Sequence, residues 1–226
     1  MGVGKKDFLR PSDIPTDLSE IDTEMFWDIY EASDGALSNY YFQNGDLEDG
    51  DFDNGRFYYV VFHGISFRGS QCHNGTFRNV VFQNCDFSNV RWSDCYFDHC
   101  SFFQCKGTGA QMVYGAFRHV LWEDSVFPLA NFDHGKWDTV FMARCDFSEA
   151  YFTQCRWKSM ILDEANFNGC AFFQTMLKGI DFTHCSILSI ALSLELTELK
   201  GAIVTAVQAV EFAKLLGLDI SYGDDQ

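Results

Sequence analysis

The chain has 226 residues, with 32 acidic and 16 basic side chains for a formal charge of −16, on a composition that is 47% hydrophobic and 17% aromatic. Apolar content this high excludes a disordered acidic tail, and no run of about 18 uncharged apolar residues is present to cross a bilayer. A charge this negative argues against direct binding to DNA, RNA or an anionic membrane, all of which call for clustered Lys and Arg; it suits a basic partner. The start, Met1 to Asp7, has some basic charge but no apolar stretch behind it, so a cytoplasmic protein is expected.

Residues 1–36 read as a capping segment. Leu18, Ile21, Met25 and Ile29 fall at helical spacing behind Thr16 and Asp17, which predicts a short amphipathic helix closing one end of the repetitive middle of the chain.

Residues 37–193 are organised by a period of five. Every fifth residue from Phe42 to Leu192 forms a column of 31 positions, and only Gly107 among them lacks an apolar side chain; 18 of the 24 Phe fall here. The residues two places earlier form a second column of Gly, Cys, Ala, Val, Ile, Ser or Thr, broken only by Tyr40 and Met160. None of these positions is charged, whereas the chain average would put about 13 charges among them, so both columns face away from water.

Five fits neither the 3.6-residue helix nor the two-residue strand, so each unit combines a short extended piece with a turn. Four units closing a square coil would stack residues 20 apart at about 4.8 Å, giving nearly eight coils and a rod of roughly 37 Å. Eight of the nine cysteines (Cys85, Cys95, Cys100, Cys105, Cys145, Cys155, Cys170 and Cys185) lie in the small column and Cys72 in the large one. They read as small buried hydrophobes rather than metal ligands, because their spacing follows the fives and no C-x-x-C pair exists. Cys85 and Cys105 would stack one coil apart.

Residues 194–226 leave the period. Thr205 to Leu216 reads as a helix with Thr205 as N-cap and Gly217 as its stop. Val207, Val210, Ala213, Leu216 and Leu218 form an apolar stripe with Phe212 and Leu215 beside it. One cap uses less apolar surface than these residues and Ile220 supply, so a homodimer joined tail to tail is expected, with Val207, Val210, Phe212, Leu215, Leu216, Leu218 and Ile220 at its interface.

No catalytic constellation stands out. Asp49, Asp51 and Asp53 resemble a calcium loop, but Asn54 and Val60 occupy the places of its glycine and closing glutamate. All six histidines fall at outward positions; His99 and His119 would stack, as an ordinary ladder or as a surface metal pair. Phosphate loops, nucleophile elbows and zinc-protease helices are absent, and a solid Phe core leaves no interior substrate pocket. A non-enzymatic protein without cofactor or metal is expected.

A five-residue repeat with Phe or Leu at the centre, a small residue two before it and often Asp or Asn just before it, as in Asp86-Phe87, Asn131-Phe132, Asp146-Phe147, Asn166-Phe167 and Asp181-Phe182, resembles the pentapeptide repeat family over residues 38–193. The resemblance implies an all-β solenoid, a right-handed quadrilateral β-helix, with a C-terminal α-helix. The Phe-rich centres, the segment Cys85 to Trp92, and the ending from Leu177 to Phe182 and from Leu199 through Gln208 to Leu218 are similar to Qnr-type proteins of Gram-positive bacteria and their MfpA-like mycobacterial relatives. That resemblance implies dimers that bind DNA gyrase and topoisomerase IV as acidic DNA mimics and protect them from quinolones. Qnr proteins of Gram-negative bacteria carry outward loops; here the frame never breaks, and only Lys106-Gly107-Thr108-Gly109 weakens it. A pentapeptide-repeat scaffold with another partner and no drug protection is the alternative.

Charge along the chain fits mimicry in part. Residues 1–56 carry −10, residues 57–192 only −2 and residues 193–226 −4. Glu123 and Asp124 precede Asp163 and Glu164 by two full coils of four units, which puts all four on one face with Arg144 between. With Asp133 and Asp138 they make the candidate partner-binding set in the half of the rod next to the dimer end. The same acids also read as a solvated face that keeps an apolar solenoid soluble.

Overall fold

The computed structural model describes residues 8, 15 and 17–221. The chain winds into a right-handed quadrilateral β-helix flanked by two helices, α1 (Thr23–Ala32) and α2 (Ala206–Leu215). Most strands are three residues long because each five-residue unit gives the rest of its length to a corner. Two residues after each centre the backbone turns left-handed, as at Asn44 (φ 53°), Asn54 (58°) and Asn74 (60°). Asn and Asp tolerate that conformation, which accounts for their frequency there.

Four corners bring the chain back to the face it left, one layer higher. Leu37, Phe57, Phe77, Phe97, Phe117, Trp137 and Trp157 pair in parallel register up one face. From Asp51 to Ala191 the bridges, in steps of 20, make eight rungs and so seven turns. The nearly eight coils expected from counting units are thus eight layers joined by seven turns. Backbone bonds run between layers: Phe67 N–H donates to Asp86 O (2.8 Å) and Asp86 N–H to Ile65 O (2.9 Å).

Inside, the large column stacks ring on ring, with centroids 4.8 Å apart for Phe57–Phe77, 4.9 Å for Phe77–Phe97 and 4.1 Å for Phe117–Trp137. The small column does more than fill space. Its side chains donate to the carbonyl of the central residue 23 positions earlier: Cys85 to Phe62 (3.3 Å), Cys100 to Phe77 (3.3 Å), Cys105 to Phe82 (3.3 Å) and Ser125 to Phe102 (3.1 Å). A cysteine here is both small enough and a donor to an inward-facing carbonyl. Burial pushes the Cys100 and Cys145 thiols up to about 12, so they stay protonated. Gly107, the one gap in the large column, is occupied from above: a Cβ there would lie 2.1 Å from the Phe127 ring.

The N-terminal end differs from the predicted helix. Ser19–Ile21 is a strand paired with Tyr40–Phe42, and α1 begins only after Asp22, whose carboxylate accepts from Met25 N–H (2.9 Å). Thr16, expected near the start of that helix, lies outside the described residues. The buried side of α1 is Phe26 and Tyr30, while Met25 is half exposed. Because Ile21 joins the sheet, the helical stripe shifts by one residue, and Phe26 plugs the coil against Phe42 at 5.2 Å. Among the described residues no helix is long and apolar enough to cross a membrane.

At the other end Asp181 pairs with Ile203, a step of 22, and the extra length forms a 3-10 turn at Thr197–Leu199. Glu198 is fully buried there and accepts from Gln174 N–H (2.8 Å), Ser193 N–H (3.3 Å) and the Ser193 hydroxyl (2.8 Å). Burial alone would raise this carboxyl, but those donors outweigh it and hold it below its ordinary value of 4.5. A carboxylate depressed in the folded state adds stability above that ordinary value, which is lost as pH falls through the lower folded one. Glu198→Ala is expected to cost about 3 kcal/mol at pH 7 by leaving buried donors unpaired. The deficit against the native chain should shrink below pH 4 in urea denaturation followed by circular dichroism.

Candidate functional site

The strands Ala116–Glu123, Lys136–Ala143 and Arg156–Asp163 run in parallel register and end on the same face. Glu123 pairs with Ala143, and Ala143 with Asp163, so Glu123 and Asp163 stand two layers apart, roughly 10 Å by strand spacing. The next residue in each layer, Asp124, Arg144 and Glu164, turns the corner with φ of 51–52° and projects outward. Arg144 grips both acids of the layer below: its Nε lies 2.6 Å and its Nη2 3.0 Å from the Asp124 carboxylate, and Nη2 also reaches Glu123 Oε1 at 2.8 Å. The guanidinium is held protonated more firmly than usual, through Asp124 first and Glu123 second. Glu123 is only 7% exposed, so its charge is largely neutralised by Arg144, whereas Glu164 is open to solvent. Four acids against one arginine leave this corner at −3.

Asp133 and Asp138 are not on it. Asp133 lies half a coil from Glu123, on the opposite face, and its carboxylate accepts from Thr153 N–H at 2.7 Å as part of the ladder. Asp138 lies on an adjoining face, ion-paired to Lys158 Nζ at 2.9 Å. The six acids named from the sequence therefore split into one corner of four and two separate ladder positions, because Asp133 and Asp138 follow Glu123 by a half and a three-quarter turn and not by a whole one.

The same face holds a feature that the period of five does not announce. Leu121, Phe141 and Ile161 stand one residue before their centres, at outward positions one above another. Leu121, Phe141 and Ala143 are nonetheless buried, covered by Phe8, itself 2% exposed and 5.8 Å from the Phe141 ring. The signal was three apolar residues stacked in register on the outside, a stripe that needed a cover.

At the rod's end α2 has the predicted N-cap, Thr205, in a reciprocal capping box with Gln208, and Gly217 follows it at φ 74°. Gln208 also donates to the carbonyls of Phe182 and Cys185, both at 2.9 Å, and Phe212 packs on the core. Those two residues fasten the helix to the last coil, so Phe212 serves the cap. Val207 (75% exposed), Leu215 (47%), Leu216 (64%) and Leu218 (54%) face outward together with Leu194 (97%) and Ile203 (47%). Val210 and Ile220 are half-buried. The dimer-interface residues named from the sequence thus divide into an anchor and an uncovered apolar surface.

The sequence matches the description "Pentapeptide repeat region" over residues 75–152 and "Pentapeptide repeats (8 copies)" over residues 142–187, together 113 of the 226 residues. The chain belongs to the pentapeptide repeat family. No curated protein matches it. Among solved structures, a trypsin-treated variant of QnrB1, a plasmid-mediated fluoroquinolone resistance protein, is 16% identical over 82% of this chain and 91% of its own, with a TM-score of 0.45. Full-length QnrB1 is 15% identical over 88% and 95%, with a TM-score of 0.36. HetL, a pentapeptide repeat protein involved in heterocyst differentiation regulation from the cyanobacterium Nostoc sp. strain PCC 7120, is 12% identical over 81% and 97%, with a TM-score of 0.31.

Proposed function

We propose that this pentapeptide repeat protein is a non-enzymatic, cytoplasmic homodimer that binds DNA gyrase, topoisomerase IV or both and protects them from quinolones. The observation that carries the reading is the Qnr-like ending, Leu199 to Leu218, which here forms an anchored helix with an uncovered apolar surface. Paired across a two-fold axis, Val207, Leu216 and Leu218 would be buried and the rod would double in length. The corner of Glu123, Asp124, Asp163 and Glu164 would then recur on both arms, offering spaced negative charge to a basic DNA-binding groove.

Val207→Glu combined with Leu216→Glu is expected to give a monomer by light scattering with an unchanged circular dichroism spectrum; a dimer of undiminished stability would move the interface elsewhere. Binding is tested by anisotropy of the labelled protein with purified gyrase. Saturable binding displaced by duplex DNA is the expected result, and binding indifferent to DNA would remove the mimicry. A scaffold with another partner is favoured by one observation, that Arg144 already neutralises part of the acidic corner.

A further inference from the structure

On the face adjoining the acidic corner, Asp98, His99 and His119 bring three ligating atoms together. Asp98 ends the strand Tyr96–Asp98, His99 is the corner residue that follows it, and His119 is the corner residue above His99 in the next layer. The two imidazoles stack at 4.5 Å with planes 19° apart. Both turn Nδ1 toward one carboxylate oxygen: Asp98 Oδ1 lies 3.0 Å from His99 Nδ1 and 3.8 Å from His119 Nδ1. Each residue's ligating atom lies within 4.8 Å of the other two.

Ordinary ladder stacking explains two parallel rings but not this convergence. Tyr114 and His134 stack just as closely, at 4.5 Å, and belong to no such cluster among the described residues. His73 Nδ1, elsewhere on the rod, is satisfied by the Ser93 hydroxyl at 3.1 Å. His119 Nδ1 is different: it is buried and has no hydrogen-bond partner among the described residues. A buried nitrogen lone pair or N–H left unpaired is costly, and here it points at the space that Asp98 and His99 also face.

From these contacts we propose that Asp98, His99 and His119 bind a divalent late first-row metal ion, Zn2+ being the natural probe, with its remaining position open to solvent beside the half-exposed His99. Two imidazoles and one carboxylate suit that class of ion better than Ca2+ or Mg2+, which prefer all-oxygen shells. An ion equidistant from three atoms 4.8 Å apart sits nearly 3 Å from each, so coordination at about 2.1 Å needs each donor to move inward by less than ~1 Å and the two stacked rings to tilt against each other until both in-plane lone pairs meet the ion. Burial first, then His99 and Arg118, lower the basicity of His119. The neighbouring charges are Arg118, which opposes a cation, and Asp138 one layer above, which favours it. The ion would clamp two successive layers on the outside of the rod.

The test is calorimetric titration of Zn2+ into the chelator-treated full-length protein. One ion per chain is expected, with an increase in Tm on saturation. His99→Gln, His119→Gln and Asp98→Asn should each weaken binding by ~100-fold or more, since losing even a residue that only hydrogen-bonds to a metal's ligand costs about 10–100-fold. His134→Gln, in the other stacked pair, should leave it unchanged. His99 is exposed enough that its variant tests the site even if His119→Gln folds poorly. Co2+ should bind with a visible spectrum lacking any sulfur-to-metal band, which separates this site from the cysteines. No binding by the native chain, binding that survives all three variants, or a thiolate band would overturn the assignment.

Discussion

Replacing Trp122 with alanine is expected to cost about 3–5 kcal/mol of folding stability, the range for deleting a large aromatic side chain from a packed core. Trp122 is fully buried, stacks on Phe102 at 4.0 Å and meets Phe127 edge-on at 4.7 Å, with Phe132 at 6.0 Å and Phe147 at 5.7 Å. Two further layers therefore lose contacts along with its own. In a solenoid each layer is held only by its neighbours, so damage at the middle of the rod separates two halves rather than fraying an end. Urea denaturation should show a lower midpoint and a broadened or two-step transition. Trp122→Phe should cost less than about 1.5 kcal/mol, because it preserves the stack and removes an indole N–H that has no partner among the described residues. Tyr151→Ala, at a position 48% exposed, should stay within about 0.5 kcal/mol. Equal costs at Trp122 and Tyr151 would contradict the inward assignment of the large column.

The second large effect concerns the acidic corner. Asp163→Lys with Glu164→Lys turns its charge from −3 to +1 and leaves the Glu123–Asp124–Arg144 cluster in place. Reversing Glu123 as well would press a lysine against Arg144 in a nearly buried site, and any lost binding would then be confounded by lost folding. If the corner meets a basic groove, the double variant should weaken gyrase binding by at least about 30-fold, since like charges set face to face across an interface cost several kcal/mol. The native affinity should also fall steeply with salt. Glu149→Lys, on another face at the same height, should change little. Unchanged affinity in the double variant would mark the corner as a solvated surface.

The two inward columns were legible because burial excludes charge at every fifth residue without exception, and the pairing in steps of 20 follows once a coil has four sides. Thr205 and Gly217 announced the ends of α2 through local backbone chemistry alone. By contrast, the helical spacing of Leu18, Ile21, Met25 and Ile29 starts α1 too early, because Ile21 belongs to a strand whose partner, Phe42, lies on the far side of the helix in sequence, and no local pattern reveals such pairing. The corner residue two after each centre is Asn or Asp often enough to be read, yet Tyr59, Leu129, Thr139 and Arg144 adopt the same left-handed backbone, so tertiary stacking overrides preference there. The acidic corner was half legible: the two-coil separation of Glu123 and Asp163 put them on one face, while the clasp of Arg144 on both lower acids and the cover supplied by Phe8 depend on side-chain placement. Asp98 was invisible as a partner of the histidines because the sequence shows stacking and not which way an imidazole nitrogen points.

The most direct test of the functional account is DNA supercoiling by purified gyrase in the presence of a quinolone, titrating this protein from below to well above the enzyme concentration, with a parallel series for topoisomerase IV. Recovery of supercoiling or decatenation is expected at stoichiometric protein, followed by inhibition at high excess as the acidic rod competes with DNA. No recovery with either enzyme from a matched host, at concentrations where the protein is a dimer, would contradict it.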